Sequence, residues 1–200
     1  PFVLVDSRPQ TMSTVDFIGT NHVQSTGLIT EYLARVGGPP VFLAMPRVNF
    51  NAMEREQAYI AKMEELGLDP RVIGTELISE NWHFEAHGLA VLDREFASGR
   101  LINESILCAN DRVAIGALRA AAQHGLQPGA LRNGGLRIAG HDDYPLCPFS
   151  TPSLTTVAQN VDAIGHAAVQ RLVQNIHAEK PASEQVVKLF DGEMKVRESA

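Results

Sequence analysis

Short apolar runs alternate with longer stretches of helical period along the whole chain, and this alternation is the pattern of parallel sheets covered by helices. The runs read as strands at 2–5, 16–19, 41–45, 71–75, 105–109, 136–139 and 186–190. Most are continuous in Val, Ile and Leu instead of alternating with polar residues, as expected of strands buried on both faces. Between them the spacing predicts helices over 24–36, 52–66, 82–97, 112–124 and 161–176. In the second helix Ala52, Tyr59, Met63 and Leu66 share one face, while Glu54, Glu56, Lys62 and Glu65 take others. Breakers follow the helices at Gly37-Gly38-Pro39-Pro40, Gly67, Gly99, Gly125 and Asn133-Gly134-Gly135. The fold class is therefore α/β, and 200 residues at 44% hydrophobic can bury a core without disulfides or metal staples.

Charge and length exclude several partners. With 17 basic against 23 acidic residues the formal net charge is −6, which gives no electrostatic footprint for nucleic acid on this chain alone. No apolar run approaches the roughly 18 residues of a membrane helix. Cys108 and Cys147 suit free thiols in a reducing cytoplasm better than a disulfide framework, although two cysteines could also pair. The chain opens at Pro1 directly on a strand, with neither an initiator methionine nor a targeting segment, and so reads as a piece of a longer polypeptide.

In an open parallel α/β sheet, ligands bind beyond the carboxyl ends of the strands, so the residues after each strand matter most. Asp6 follows the first strand, and Thr20, Asn21 and His22 the second. Asn49 lies in the loop after the third, Asn110 and Asp111 follow the fifth, and Gly140-His141-Asp142-Asp143 the sixth. Carboxylates and amides pair with vicinal hydroxyls, Arg adds a planar donor fork, and an indole covers an apolar ring face. Together these are the equipment of a sugar or polyol site. Taken singly, Asn110 and Asp111 could equally cap a helix, and Asp142-Asp143 could form a turn.

Enzyme signatures are largely missing, with no nucleophile elbow, no Walker A loop and no dinucleotide fingerprint after the first strand. His83-Phe84-Glu85-Ala86-His87 could place two histidines on one helix face, but its acid stands in the wrong place for a zincin and no third ligand accompanies it. No cofactor and no metal are implied. Cys108, inside an apolar strand, reads as a core thiol. Trp82, after the polar Ser79-Glu80-Asn81, is either a packing staple or a stacking platform.

Several segments resemble the effector-binding core of the LacI/GalR (lactose-repressor-like) family of transcription regulators, a periplasmic-binding-protein-like fold. They are Asp16-Phe-Ile-Gly-Thr-Asn21, Asn51-Ala-Met-Glu-Arg55-Glu-Gln-Ala-Tyr59, the run C-A-N-D-R-V-A-I-G-A from Cys108 to Ala117, Gly140-His-Asp-Asp143, and Pro152-Ser-Leu-Thr-Thr-Val-Ala-Gln159. The resemblance implies two lobes of parallel sheet flanked by helices, joined by three crossings. Residues 20–160 and 189–200 would form the C-terminal lobe. Residues 1–19 and 161–188 would form part of an incomplete N-terminal lobe, with a DNA-binding headpiece upstream. Position by position it implies ligand contacts from Asp6, Asn49, Arg55, Trp82, Asn110, Asp142 and Gln159, with Arg55 and Asp142 lining a solvated cleft. Ala58 stands where the family usually has Gly, and His141 where it prefers an aromatic residue.

The resemblance implies a cytoplasmic, non-enzymatic homodimer. It would bind a monosaccharide, polyol or sugar phosphate effector and contact operator DNA through the headpiece. Two other readings share parts of this evidence: a periplasmic sugar-binding protein of a transporter, and a small enzyme using His141 or Asp142 as a base.

Overall fold

The computed structural model describes residues 1–76, 82–129, 135–178 and 185–200. The polar Ser79-Glu80-Asn81 and the breakers Asn133-Gly134 lie outside these. In chain order the elements are β1 (Leu4–Val5), β2 (Phe17–Thr20), α1 (His22–Gly37), β3 (Val41–Leu43), α2 (Phe50–Glu65), β4 (Arg71–Ile73) and α3 (Phe84–Ala97). There follow β5 (Ser105–Cys108), α4 (Asp111–Gln123), β6 (Arg137–Ala139), β7 (Thr156–Ala158), α5 (Val161–His177), β8 (Val187–Phe190) and β9 (Glu193–Lys195). Single 3₁₀ turns occur at Gln10–Met12 and Cys147–Phe149. No helix among the described residues is long and apolar enough to cross a membrane.

Two parallel sheets carry the architecture, with strand orders β4-β3-β5-β6 and β1-β2-β8. The larger sheet builds the main core: Phe42, Leu43, Ile106, Leu107 and Ile138 pack against Ile29 and Leu33 of α1, Tyr59 and Met63 of α2, and Val113 and Ala117 of α4. The Tyr59 ring stacks on Phe42 with centroids 5.1 Å apart. Its hydroxyl donates to the Pro40 carbonyl at 2.7 Å and accepts the Arg71 N–H at 3.0 Å, so a phenol is buried with its polar end satisfied. A smaller cluster joins Ile18 to Ile164, Ala167 and Ala168 of α5, with Phe190 packed against it.

Burial on both faces holds for β2, β3, β5 and β6 but not for β1, β4 and β8. Those three are sheet edges; the fourth edge, β6, is covered by the C-terminal segment, the Ile138 N–H donating to the Ser199 carbonyl at 3.0 Å. In β8, Phe190 turns toward α5 while Val187 and Leu189 remain about half exposed. Leu66 also departs from the expected apolar face of α2, because it ends the helix and lies exposed. The strands β7 and β9 were not anticipated, since each is three residues long and β9 carries Glu193 and Lys195. They exist through antiparallel pairing across the chain, Val157 opposite Met194.

The helices α3 and α4 meet without side chains at their closest point. A Cβ on Gly88 would lie 2.1 Å from the Val113 carbonyl oxygen, and one on Gly116 would lie 2.0 Å from that of Glu85. Glycine at both places lets the two backbones touch.

Three chain segments run between the two sheets, from β2 into α1, from β7 into α5 and from β8 into β9. Hydrogen bonds lace them together. The Asn21 N–H donates to the Phe190 carbonyl at 2.8 Å, and the Asn21 amide donates to Asp191 at 2.9 Å. The Gly192 N–H donates to Gln24 at 2.8 Å, and the Thr20 hydroxyl bonds Gln159.

Candidate functional site

Asparagine begins four of the five α-helices. Asn21, Asn49, Asn110 and Asn160 each accept a bond from the backbone N–H three residues on, at Gln24, Ala52, Val113 and Ala163. For Asn110 the capping alternative is therefore what the geometry displays, and Asn49, expected as a loop contact, is a cap as well. The Asn110 amide, buried, turns its N–H toward the Met45 sulfur at 3.2 Å. Both caps nevertheless lie at the carboxyl end of the larger sheet, beside the loop that follows β6.

That loop holds Asp142, around which the other groups converge. Its Oδ1 accepts from Arg55 Nη2 at 2.7 Å, Gln159 Nε2 at 2.6 Å and His141 Nδ1 at 3.2 Å. The backbone of the loop is unusual: Asp142 and Asp143 have φ of 128° and 57°, values that non-glycine residues adopt only where surrounding bonds enforce them. Here the Asp142 N–H is held by the Val157 carbonyl at 2.9 Å, and Asp143 by Arg197 at 2.7 Å. Gly140 is required just upstream, since a Cβ there would come 2.1 Å from Asp111 Oδ1.

Arg55 corrects one expectation. It lies 3% exposed rather than in a solvated cleft, because its side chain runs under the loops to reach the protein's own acceptors. Besides Asp142, Nη1 donates to the Ala109 carbonyl at 2.8 Å and Nε points to His22 Nδ1 at 3.5 Å. Of the five guanidinium N–H groups, three are thus engaged within the chain.

Two buried histidines complete the group. His22 and His141 face each other with ring centroids 5.7 Å apart, and His141 Nε2 lies 2.9 Å from the Ser25 hydroxyl. Burial, the Arg55 cation and the His141 ring push His22 down to about 2, and burial with Arg55 pushes His141 down to about 4. Both are therefore neutral near pH 7. Burial works against ionisation of Asp142, yet the Arg55 charge and the His141 hydrogen bond hold its carboxyl well below the usual range. Asp111 behaves oppositely, pushed up to about 6 by burial and by the Asp142 charge. It nevertheless accepts the Thr156 hydroxyl at 2.6 Å and the Tyr144 N–H at 2.7 Å.

Of the remaining expected residues, Asp6 ends β1 with φ 65° and accepts the Asn51 amide at 3.1 Å, bridging the smaller sheet to α2. Trp82 is 58% exposed before α3, its ring edge-on to Phe84 at 5.6 Å and its carbonyl accepting Arg112. No described hydrogen bond or ring contact ties Trp82 to Asp142. The structure thus gathers Arg55, Asp142 and Gln159, and leaves Asp6, Asn49, Asn110 and Trp82 outside their direct bonding. Ser25 enters without having been singled out, and Thr20 and His22, named only as residues following the second strand, join it; His22 and Ser25, three apart at the start of a helix, share a face. In the histidine pair weighed and set aside as a metal site on sequence grounds, His83 precedes α3, while His87 is buried with Nε2 on the Ala44 carbonyl at 3.0 Å.

Residues 30–200 match the family described as periplasmic binding protein-like domain. The transcriptional regulator MalR of Streptomyces coelicolor is 31% identical over 181 residues, 88% of this chain and 49% of that protein. The chain belongs to the LacI-type periplasmic-binding-protein-like family. A second relative in this LacI-type group, the ribose operon repressor of Escherichia coli, is 29% identical over 88% of this chain and 51% of that protein. The chain spans about half the length of both. Among solved structures, a LacI family transcriptional regulator from Enterococcus faecium with bound ribose covers the whole chain and 70% of its own, with TM-score 0.79 and 19% identity. A lac repressor dimer bound to operator likewise covers the whole chain and 65% of its own, with TM-score 0.79 and 24% identity. These two support the LacI-type fold alone. The names of the curated relatives are those of regulators and repressors, not of enzymes.

Proposed function

We propose that this chain is the effector-sensing core of a transcription regulator, and that it binds a sugar, polyol or sugar phosphate where the two sheets meet. The observation that carries the reading is the saturation of Asp142 Oδ1 by three donors from three different segments. A carboxylate so held has one oxygen fixed by the protein and the other aimed at whatever enters, which is how a protein presents an acceptor to a ligand hydroxyl. Asp6 supplies a second carboxylate from the other sheet, Asn49 and Asn110 line the rim, and exposed Trp82 offers a face for the C–H side of a sugar ring. The bound ribose and the ribose operon named among the relatives support a sugar.

Residues 20–160 and 189–200 then act as one lobe, and residues 1–19 and 161–188 as part of the other. Gln159, on a crossing segment and bonded to both Thr20 and Asp142, connects effector occupancy to the angle between them. In a cytoplasmic homodimer that angle would set the spacing of DNA-binding headpieces on an operator. Contact with DNA falls to a part of the protein other than this acidic chain.

A thermal screen of the intact protein against pentoses, hexoses, polyols, their phosphates and free purines tests the reading. At about 100 times Kd a ligand stabilises by roughly 2.7 kcal/mol, enough to raise Tm by several degrees. A shift with purines alone would overturn the sugar assignment.

A further inference from the structure

The His141 ring joins two groups that belong to different parts of the fold. Nδ1 lies 3.2 Å from Asp142 Oδ1, and Nε2 lies 2.9 Å from the Ser25 hydroxyl, on the first turns of α1. His141 is 2% exposed and Ser25 fully buried, so water cannot take the place of the serine, whereas Asp142 is one-third exposed. The proton positions follow from what each atom can do. An ionised carboxylate only accepts, so a hydrogen bond at Nδ1 requires the proton to sit there. A second proton at Nε2 would place an imidazolium beside the Arg55 guanidinium, in a buried site that also holds the His22 ring. Nε2 is therefore a lone pair, and the group that can donate to it is the Ser25 O–H.

We propose that His141 is a positioning residue for Asp142: protonated at Nδ1, it donates to the carboxylate, accepts from Ser25 at Nε2, and so fixes the carboxylate plane against α1. The proposal rests on the reading of Asp142 as the effector-binding carboxylate. Arg55 and Gln159 bond the same oxygen. The His141 bond adds a third direction, so that rotation about the carboxyl torsion would break a donor whichever way it turned. A phenylalanine at this position would keep the aromatic volume and lose both bonds. An asparagine carries its amide N–H where Nδ1 stands and would restore the bond to Asp142 alone.

The test uses the intact protein with ¹⁵N-labelled histidine and ¹³C-labelled aspartate. In the long-range ¹H–¹⁵N spectrum at pH 7, Nδ1 of His141 is expected in the protonated range and Nε2 in the unprotonated range, with Ser25→Ala moving Nε2 further toward a free lone pair. At pH 7, where His141 is neutral and Asp142 ionised, the carboxyl-carbon shift of Asp142 is expected to move in His141→Phe and to return toward that of the unaltered protein in His141→Asn. An Nε2-protonated tautomer would overturn the proposal, as would identical Asp142 carboxyl shifts at pH 7 in the Phe and Asn variants. D-ribose serves as the binding probe in the same proteins: affinity should fall about tenfold in His141→Phe and recover largely in His141→Asn. Equal ribose affinity in all three proteins would count against positioning. Absence of ribose binding to the unaltered protein would count against the sugar reading, and the tautomer and the carboxyl shift at pH 7 would still decide the role of His141.

Discussion

Arg55 Nη2 and Asp142 Oδ1 lie 2.7 Å apart, with the guanidinium 3% exposed and the carboxylate one-third exposed. The pair spans 87 residues of sequence and fastens α2 to the loop after β6. Because the cation is buried, removing its partner leaves an uncompensated charge, and removing the cation orphans the Ala109 carbonyl as well. Arg55→Ala should therefore cost about 3–5 kcal/mol in urea unfolding. Asp142→Asn, which keeps an oxygen for Arg55, should cost less while abolishing the ligand-induced Tm shift. Unfolding curves for the two variants measured side by side check this, and an Arg55→Ala protein of unchanged stability would contradict the buried pair.

Asp16 ties three elements together just before β2. It accepts Arg171 Nε at 2.6 Å and the Asn175 amide at 2.8 Å from α5, and the Val186 N–H at 2.7 Å from the start of β8. The Arg171 hydrogen bond leads in lowering its pKa from 3.8 to about 2. A depressed folded pKa contributes stability that is present above the unfolded value and is lost as pH falls through the folded one. Asp16→Ala should destabilise by about 2–4 kcal/mol at pH 7, with the difference from the unaltered protein shrinking as pH drops from about 4 to 2. Paired denaturation at those pH values measures it.

Asp111 should act with the opposite sign. Its folded pKa is raised from 3.8 to about 6, so it contributes stability fully present below 3.8 and lost as pH rises through 6. Asp111→Asn removes that titration. The variant will be less stable throughout, since one amide cannot accept both Thr156 and Tyr144 as the carboxylate does, but its deficit should be smaller at pH 7 than at pH 4.5. A deficit that grew with pH would contradict the assignment.

Gly116→Ala would bring a Cβ to 2.0 Å from the Glu85 carbonyl oxygen, and to 2.8 Å from Leu89 N. Both atoms are backbone of α3 and cannot rotate away, so the helices must separate. A loss of about 1–3 kcal/mol is expected. The same change at Gly165, which has open space around it, should be neutral or stabilising. Thermal melts of the two variants make the comparison.

Trp82→Ala should leave stability within about 1 kcal/mol, because the ring is 58% exposed and its recorded packing is one edge contact with Phe84. If the indole stacks on the effector, the same variant loses most of the sugar-induced Tm shift. An undiminished shift would remove Trp82 from the site.

Local periodicity was enough to read the five helices and seven of the strands, because Val41, Ile106 and Ile138 sit in apolar runs whose burial does not depend on a particular neighbour. The Asn110 cap was legible for the same reason, since a cap bonds to a backbone N–H three residues away; the Asn49 cap was not, because the helix was expected to start at Ala52 and begins at Phe50. Tertiary structure decided whatever depends on distant partners. The strands β7 and β9 exist by pairing with each other across 36 intervening positions, Val157 opposite Met194, and neither carries a pattern that would mark it alone. Arg55 looked like a ligand clamp in a wet cleft; its burial follows from Ala109, Asp142 and His22 all arriving at one place. The exchange of Asp142 with Gln159, and of His141 with Ser25 116 residues earlier, has no trace in local spacing. A hydrogen bond requires two groups within about 3 Å, and for these residues only the packing of the two sheets brings them that close.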